Sequence, residues 1–243
     1  MRIVGQDTDA SLRIVTIAHR GGIIPGIPEN SLLGFKKSID IGVDVIEIDL
    51  RATRDDEIII MHDESIDRTT NGRGKVVELT IEELRQFDLG IDQQIPTFKE
   101  LLSLVKGSKI KLLLDIKVSG NLDKKSIIEL IESFEMMHNV ILGVRTLEDL
   151  NEFHQLNSDI RTLGFISTLD QLELFMENRI NIIRIWPEWI ESHNDIIDKI
   201  HQKGIPVWIT AGNLPDDEVH VLIERGVNGI IHDSPELLVG LLK

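Results

Sequence analysis

Short β-branched runs, each followed by an amphipathic stretch with helical spacing, repeat eight times along 243 residues. This rhythm predicts a TIM (β/α)8 barrel, because strands that alternate with helices pair in parallel and eight units of roughly 30 residues close a ring. A second observation supports the ring over an open doubly wound sheet: the chain has no GxGxxG turn after its first strand. A third is the double-length connection after the second strand, which reads as a small capping insertion over about residues 63–96 of a single domain, 1–243.

The elements follow in order. Strands are predicted at 14–19, 44–50, 111–117, 140–145, 161–167, 180–186, 206–210 and 229–232, with the β-branched richness expected of buried strands. The first helix spans 30–41, with Asn30 or Ser31 as its cap and Gly42 as its end. Further helices are predicted at 97–106, 122–137, 147–156, 169–178, 191–203, 216–225 and 235–242. The insertion holds an extra strand at 57–61, a polar turn at 69–74 and a short helix at 80–87.

Composition narrows the function. With 41 acidic against 26 basic side chains and no basic cluster, the net charge of −15 argues against a nucleic-acid partner. There is no cysteine, so thiolate and disulfide chemistry are excluded. No apolar run approaches the ~20 residues that a membrane span needs. Residues 1–12 are too polar for a signal peptide, which reads as a cytoplasmic protein. The oligomeric state is left open.

Chemistry in such a barrel stands at the C-terminal ends of its strands. Strand two ends in Glu47-Ile48-Asp49. Residues two apart on a strand face the same side, so both carboxylates point one way. Two buried like charges call for positive charge between them. A divalent cation, Mg²⁺ or Ca²⁺, is one answer, with Asp115 as a third ligand. An ion pair with Lys117 or Arg20 is the other, and spacing alone leaves both open. His19 and His62 both end strands, where a histidine pair can act as general acid and base. His232 also ends a strand. Arg20 and Lys117 offer positive charge to a phosphate. Together these groups point to hydrolysis of a small phosphate ester.

These residues also carry a family pattern. Ala18-His19-Arg20-Gly21, Pro28-Glu29-Asn30-Ser31, Val45-Ile46-Glu47-Ile48-Asp49-Leu50, Thr53-Arg54-Asp55, Met61-His62-Asp63 and Arg68-Thr69-Thr70-Asn71-Gly72 follow one another in order. Ile95-Pro96-Thr97-Phe98-Lys99-Glu100 and the C-terminal Asp233-Ser234-Pro235 extend the match. The chain resembles the glycerophosphodiester phosphodiesterases, enzymes of glycerol and lipid metabolism. The resemblance implies a TIM barrel, His19 and His62 as the acid–base pair, and a divalent cation on Glu47 and Asp49. It places Arg20 and Lys117 on the phosphate. The family's third ligand is usually a glutamate in an E-x-K pattern, a position held here by Asp115 in Asp115-Ile116-Lys117. It also implies an aromatic side chain on the glycerol, near the end of strand seven, where Trp208 stands. His19 is favoured as base and His62 as acid. The attacking group is either the substrate's own glycerol 2-hydroxyl or water. A lysophospholipase D on the same scaffold is the alternative, with Trp186, Trp189, Phe165, Ile23 and Ile24 available for an apolar mouth. A non-catalytic ligand-binding barrel is the remaining one.

Overall fold

The computed structural model describes residues 13–117 and 122–242. The signal-peptide reading of residues 1–12 therefore lies outside the described residues.

Eight parallel strands close a ring: β1 (Val15–Ala18), β2 (Val45–Ala52), β4 (Lys111–Ile116), β5 (Val140–Val144), β6 (Arg161–Phe165), β7 (Ile182–Ile185), β8 (Val207–Gly212) and β9 (Gly229–His232). Closure comes from β1, which pairs with β2 on one side and β9 on the other. The extra strand, β3 (Ile58–Ile60), stays outside the ring and pairs antiparallel with β2. That hairpin extends β2 to Ala52, two residues past the expected end.

Helices fill the crossovers: α1 (Leu32–Ile41), α3 (Phe98–Val105) after the short insertion helix α2 (Ile81–Leu84), α4 (Lys124–Ser133), α5 (Leu147–Leu156), α6 (Leu169–Met176), α7 (Pro187–Ser192), α8 (Ile196–His201), α9 (Asp216–Glu224) and α10 (Pro235–Leu242). Their starts are set locally. The Ser31 hydroxyl accepts the Gly34 N–H, and Thr80 and Thr97 each form a capping box with the glutamate three residues on. Gly42 ends α1 in the left-handed region. The helix predicted over 191–203 is two helices instead. Pro187 starts α7 early, its fixed φ already helical, and His193, at φ −138° and ψ 81°, breaks the chain before α8.

Strand pleating sorts the core into two layers. One phase of the strands, including Ile46, Ile48, Leu112, Leu114 and Ile183, packs outward against Phe35, Leu101, Leu102 and Phe153. The other phase fills the barrel with Ile17, Val45, Leu113, Ile141, Leu163, Ile182 and Trp208. A satellite core of Ile59, Met61, Ile66, Val76, Leu84 and Ile95 sits under the insertion and anchors it to the β2–β3 hairpin. Among the described residues, no helix is long and apolar enough to cross a membrane.

Candidate active site

At the C-terminal mouth of the barrel, a cavity of about 410 Å³ is lined by His19, Arg20, Glu47, Asp49, His62, Asp115 and Lys117. Seven of the residues singled out from the sequence thus meet in one place. Arg145, Phe165, Arg184, Trp186 and Thr210 line its other side. A larger cavity, about 720 Å³, opens at the opposite end of the barrel between Val15, Val45, Ile141, Ile182 and Trp208.

Register places the carboxylates. Asp49 pairs with Asp115 across β2 and β4, and Glu47 lies one inward position below Asp49. All three are buried, and one oxygen from each lies within 4.8 Å of the others. Burial, and then the negative charges of Asp49 and Asp115, push Glu47 up to about 8. Lys117 answers the other two, with Nζ 2.7 Å from Asp49 and 2.5 Å from Asp115. Arg145 reaches Asp115 at 2.6 Å. Burial raises the Asp115 carboxyl, but Arg145 and Lys117 outweigh it and hold the group below the usual range. Asn30 donates to Asp49 at 2.8 Å and keeps its own carbonyl oxygen buried without a partner. An all-oxygen donor set with an unpartnered carbonyl beside it suits a hard divalent cation, so Glu47, Asp49 and Asp115 could hold one.

A strained turn links β1 to this cluster. Arg20 has φ 51° and is followed by Gly21 and Gly22 at positive φ. The turn aims the Arg20 backbone N–H at Glu47, 2.8 Å away. Only glycine fits at position 21, since a Cβ there would stand 2.4 Å from the Phe35 ring.

Each histidine is held by a carboxylate. Ala18 pairs with His232 across β1 and β9, which sets His19 beside Asp233, with Nδ1 to Oδ1 at 2.6 Å. Burial lowers the His19 pKa, but the Asp233 hydrogen bond and the Glu47 charge outweigh it, and the net shift is upward. His62 Nδ1 lies 2.7 Å from Asp63. Arg68 grips Asp63 at 2.6 Å and Glu29 at 2.7 Å, and Glu29 in turn holds Arg20 at 3.0 Å. The Arg68 hydrogen bond holds Asp63 far below the carboxylate range. With both Nδ1 atoms committed, each Nε2 is the nitrogen left for a substrate. Arg51 donates to the His62 carbonyl at 2.6 Å and fixes the backbone there.

One expectation changes. Trp208 does not reach this cavity: it is 4% exposed, packs in the barrel interior and lines the opposite opening. Thr210, the next inward position of β8, takes the place at the mouth, so Trp208 sits one layer too deep to touch a ligand there. His232 is structural. Its Nε2 lies 2.9 Å from the Leu214 carbonyl and its Nδ1 accepts the Ser234 N–H at 2.9 Å, which fixes the loop that carries Asp233. Arg145 and Arg184 went unnoticed in the sequence, and Asn30 was read there as a helix cap and motif residue, not as a partner of Asp49. The one signal for Arg184 was a charge in phase with Ile182 inside an apolar strand.

Comparison with known proteins agrees with this arrangement. Residues 19–168, which carry all seven clustered side chains, match the model of the glycerophosphoryl diester phosphodiesterase family. A glycerophosphodiester phosphodiesterase of Caldanaerobacter subterraneus is 27% identical over 96% of this chain and 99% of its own length. A human lysophospholipase D is 29% identical over 91% of this chain and 84% of its own. In the solved structures, a phosphodiesterase of Oleispira antarctica in complex with its product sn-glycerol-3-phosphate superposes with a TM-score of 0.82, at 20% identity, over 96% of this chain and 98% of that one. With the family match covering residues 19–168, more than half of its length, the chain belongs to the glycerophosphoryl diester phosphodiesterase family.

Proposed function

We propose that the protein is a barrel enzyme, rimmed by its 63–96 insertion, that hydrolyses glycerophosphodiesters to glycerol 3-phosphate and an alcohol. It does so with Mg²⁺ or Ca²⁺ on Glu47, Asp49 and Asp115. The observation that carries this reading is the meeting of two carboxylate-backed histidines, a buried carboxylate triad, Arg20 and Lys117 in one cavity. The named activity of the Caldanaerobacter relative and the product held by the Oleispira protein agree with it.

Glu47, Asp49 and Asp115 would hold the cation, which would supply positive charge to a phosphoryl group in the cavity. Arg20 and Lys117, on the same cavity wall, bind the phosphate and orient the diester. His19 Nε2 takes the proton of the attacking hydroxyl, and Asp233 stabilises the imidazolium that forms. His62, with Asp63 behind its ring, returns a proton to the leaving alcohol. This division of labour serves a water molecule, or the glycerol 2-hydroxyl, in which case the alcohol leaves a cyclic phosphate that water then opens to glycerol 3-phosphate.

The test is release of glycerol 3-phosphate from glycerophosphocholine and glycerophosphoethanolamine with EDTA, then with added Mg²⁺ or Ca²⁺. Activity abolished by EDTA and restored by one metal is expected. His19→Ala and His62→Ala should each lower turnover by about two to four orders of magnitude. Near-normal turnover of either variant would sink its assignment.

The lysophospholipase D relative favours a second reading, helped by two apolar side chains at the mouth. Trp186 is 38% exposed, and Ile23, 43% exposed, is tied by its N–H to the Asp233 carbonyl. Phe165 lines the cavity but is buried, and Trp189 packs against the core, so neither adds to that surface. Cleavage of a lysophospholipid in preference to the deacylated diesters would select this reading.

A further inference from the structure

The two halves of the mouth differ in charge. On β1, β2 and β4 every carboxylate of the pair Asp49 and Asp115 has a cation, and Arg20 is shared between Glu29 and Asp49. On β7 the position is reversed, whereas Arg145, just after β5, already pairs with Asp115 at 2.6 Å. Arg184 is 6% exposed, and its Nε and one terminal nitrogen are buried without a hydrogen-bond partner. Among the described residues no carboxylate forms an ion pair with it. Its guanidinium lies 3.9 Å from the centre of the Trp186 ring and 5.1 Å from that of Phe165. Arg145 lies on the same Phe165 ring at 5.1 Å. Burial, and then the nearby Arg145 charge, pull Arg184 down to about 10.

A buried guanidinium with unmet donors is costly, and the aromatic stack meets only its faces. Its edge remains for an acceptor. In a chain of net charge −15, a cavity wall with an unanswered cation is a local exception that a ligand can complete. We infer that Arg184, seconded by Arg145, forms a subsite for a negatively charged group on the alcohol half of the substrate. This rests on the diester reading above. The diester phosphate has Arg20, Lys117 and the carboxylate-held cation site on the other half of the mouth. The glycerol half carries no charge. The group that reaches Arg184 is therefore a carboxylate or a phosphate borne by the leaving alcohol, to which the planar fork can donate two hydrogen bonds. A choline or ethanolamine head would instead bring its own positive charge against the wall.

Two substrate pairs test this without any variant. Glycerophosphoserine differs from glycerophosphoethanolamine by a carboxylate, and glycerophosphoinositol 4-phosphate differs from glycerophosphoinositol by a phosphate. The wild-type protein should favour the acidic member of at least one pair by about tenfold or more in kcat/KM, and the pair that responds tells carboxylate from phosphate. Arg184→Met keeps an apolar stem between the two rings. It should reduce that acidic-to-neutral ratio by about ten- to a hundredfold, the worth of a hydrogen bond between charged groups. Arg184→Lys, which keeps the charge and loses the fork, should fall between. A wild-type preference for the neutral or cationic members would overturn the proposal. So would an Arg184→Met ratio equal to that of wild type, since an equal loss on both members would put Arg184 on the common phosphate. Titration calorimetry with O-phosphoserine and O-phosphoethanolamine separates the subsite from the activity. If no diester is turned over with either metal, the reading of the function falls. Tighter binding of O-phosphoserine that Arg184→Met abolishes would then still uphold the subsite, and equal binding of the two would remove it.

Discussion

Asp233→Asn isolates the work of one carboxylate behind one imidazole. The oxygen 2.6 Å from His19 Nδ1 is the closest negative atom to that ring, and the loop that carries it is fixed by His232. Asparagine keeps the size and removes the charge. Loss of a hydrogen bond to a charged group corresponds to about 1.5–3 kcal/mol, or about 10- to 150-fold in kcat/KM. If the new amide donates to Nδ1, the ring is held with its proton on Nε2, the wrong tautomer for a base, and the loss moves to the upper end of that range or beyond. In the proposed mechanism Asp233 acts through His19, as a positioning residue. Two readouts separate that role from a general loss of structure. With His19 as base, kcat/KM falls on the acid side of its pKa. Burial lowers that pKa, and Asp233 and Glu47 more than offset it. Removing Asp233 strengthens the hand of burial, so the acid limb should move to lower pH. The double variant Asp233→Asn with His19→Ala should be no slower than His19→Ala alone, because the aspartate has nothing left to orient. Turnover of Asp233→Asn within about threefold of wild type, with an unmoved acid limb, would refute the assignment.

Three other expectations follow from the same geometry. Glu47, raised from 4.5 to about 8, holds a proton in the fold that the unfolded chain releases between those values, so in EDTA the melting temperature should fall as pH rises through that window. Glu47→Gln should flatten the trend, and an unchanged slope in that variant would show that Glu47 is not its source. Gly143→Ala would place a Cβ 2.3 Å from the Phe165 ring and 2.8 Å from the Leu114 carbonyl, so it should destabilise the fold by about 1–3 kcal/mol in denaturant melts. Trp208→Phe should cost about 1–2 kcal/mol of stability from the barrel interior, yet leave KM for a diester within twofold of wild type. A KM raised tenfold would return Trp208 to the site.

How far the site could be read ahead depended on the range of the interactions that build it. Glu47 and Asp49 were legible because a strand's two-residue period is local, and the strand itself announces which side they share. The barrel was legible for the same reason, as a count of local units. The break at His193 was not, because the apolar spacing runs on across a backbone turn that no side-chain pattern marks. Depth within the barrel was also hidden. Trp208 and Thr210 share a face, and periodicity alone cannot say which one reaches the mouth and which lies a layer below. Ring closure set the least visible contacts. Asp233 meets His19 across 214 positions because β9 returns to β1, and Arg184 shares a cavity with Asp115 only because ring closure brings β7 and β4 to one mouth. The groups to which the chemistry is assigned could thus be named from short motifs, while their neighbours in the cavity come from strands whose own sequence looks like core. An arginine at 6% exposure in such a strand costs desolvation that its stacking on Phe165 and Trp186 meets only in part, and the proposed acidic subsite is what would offset the rest.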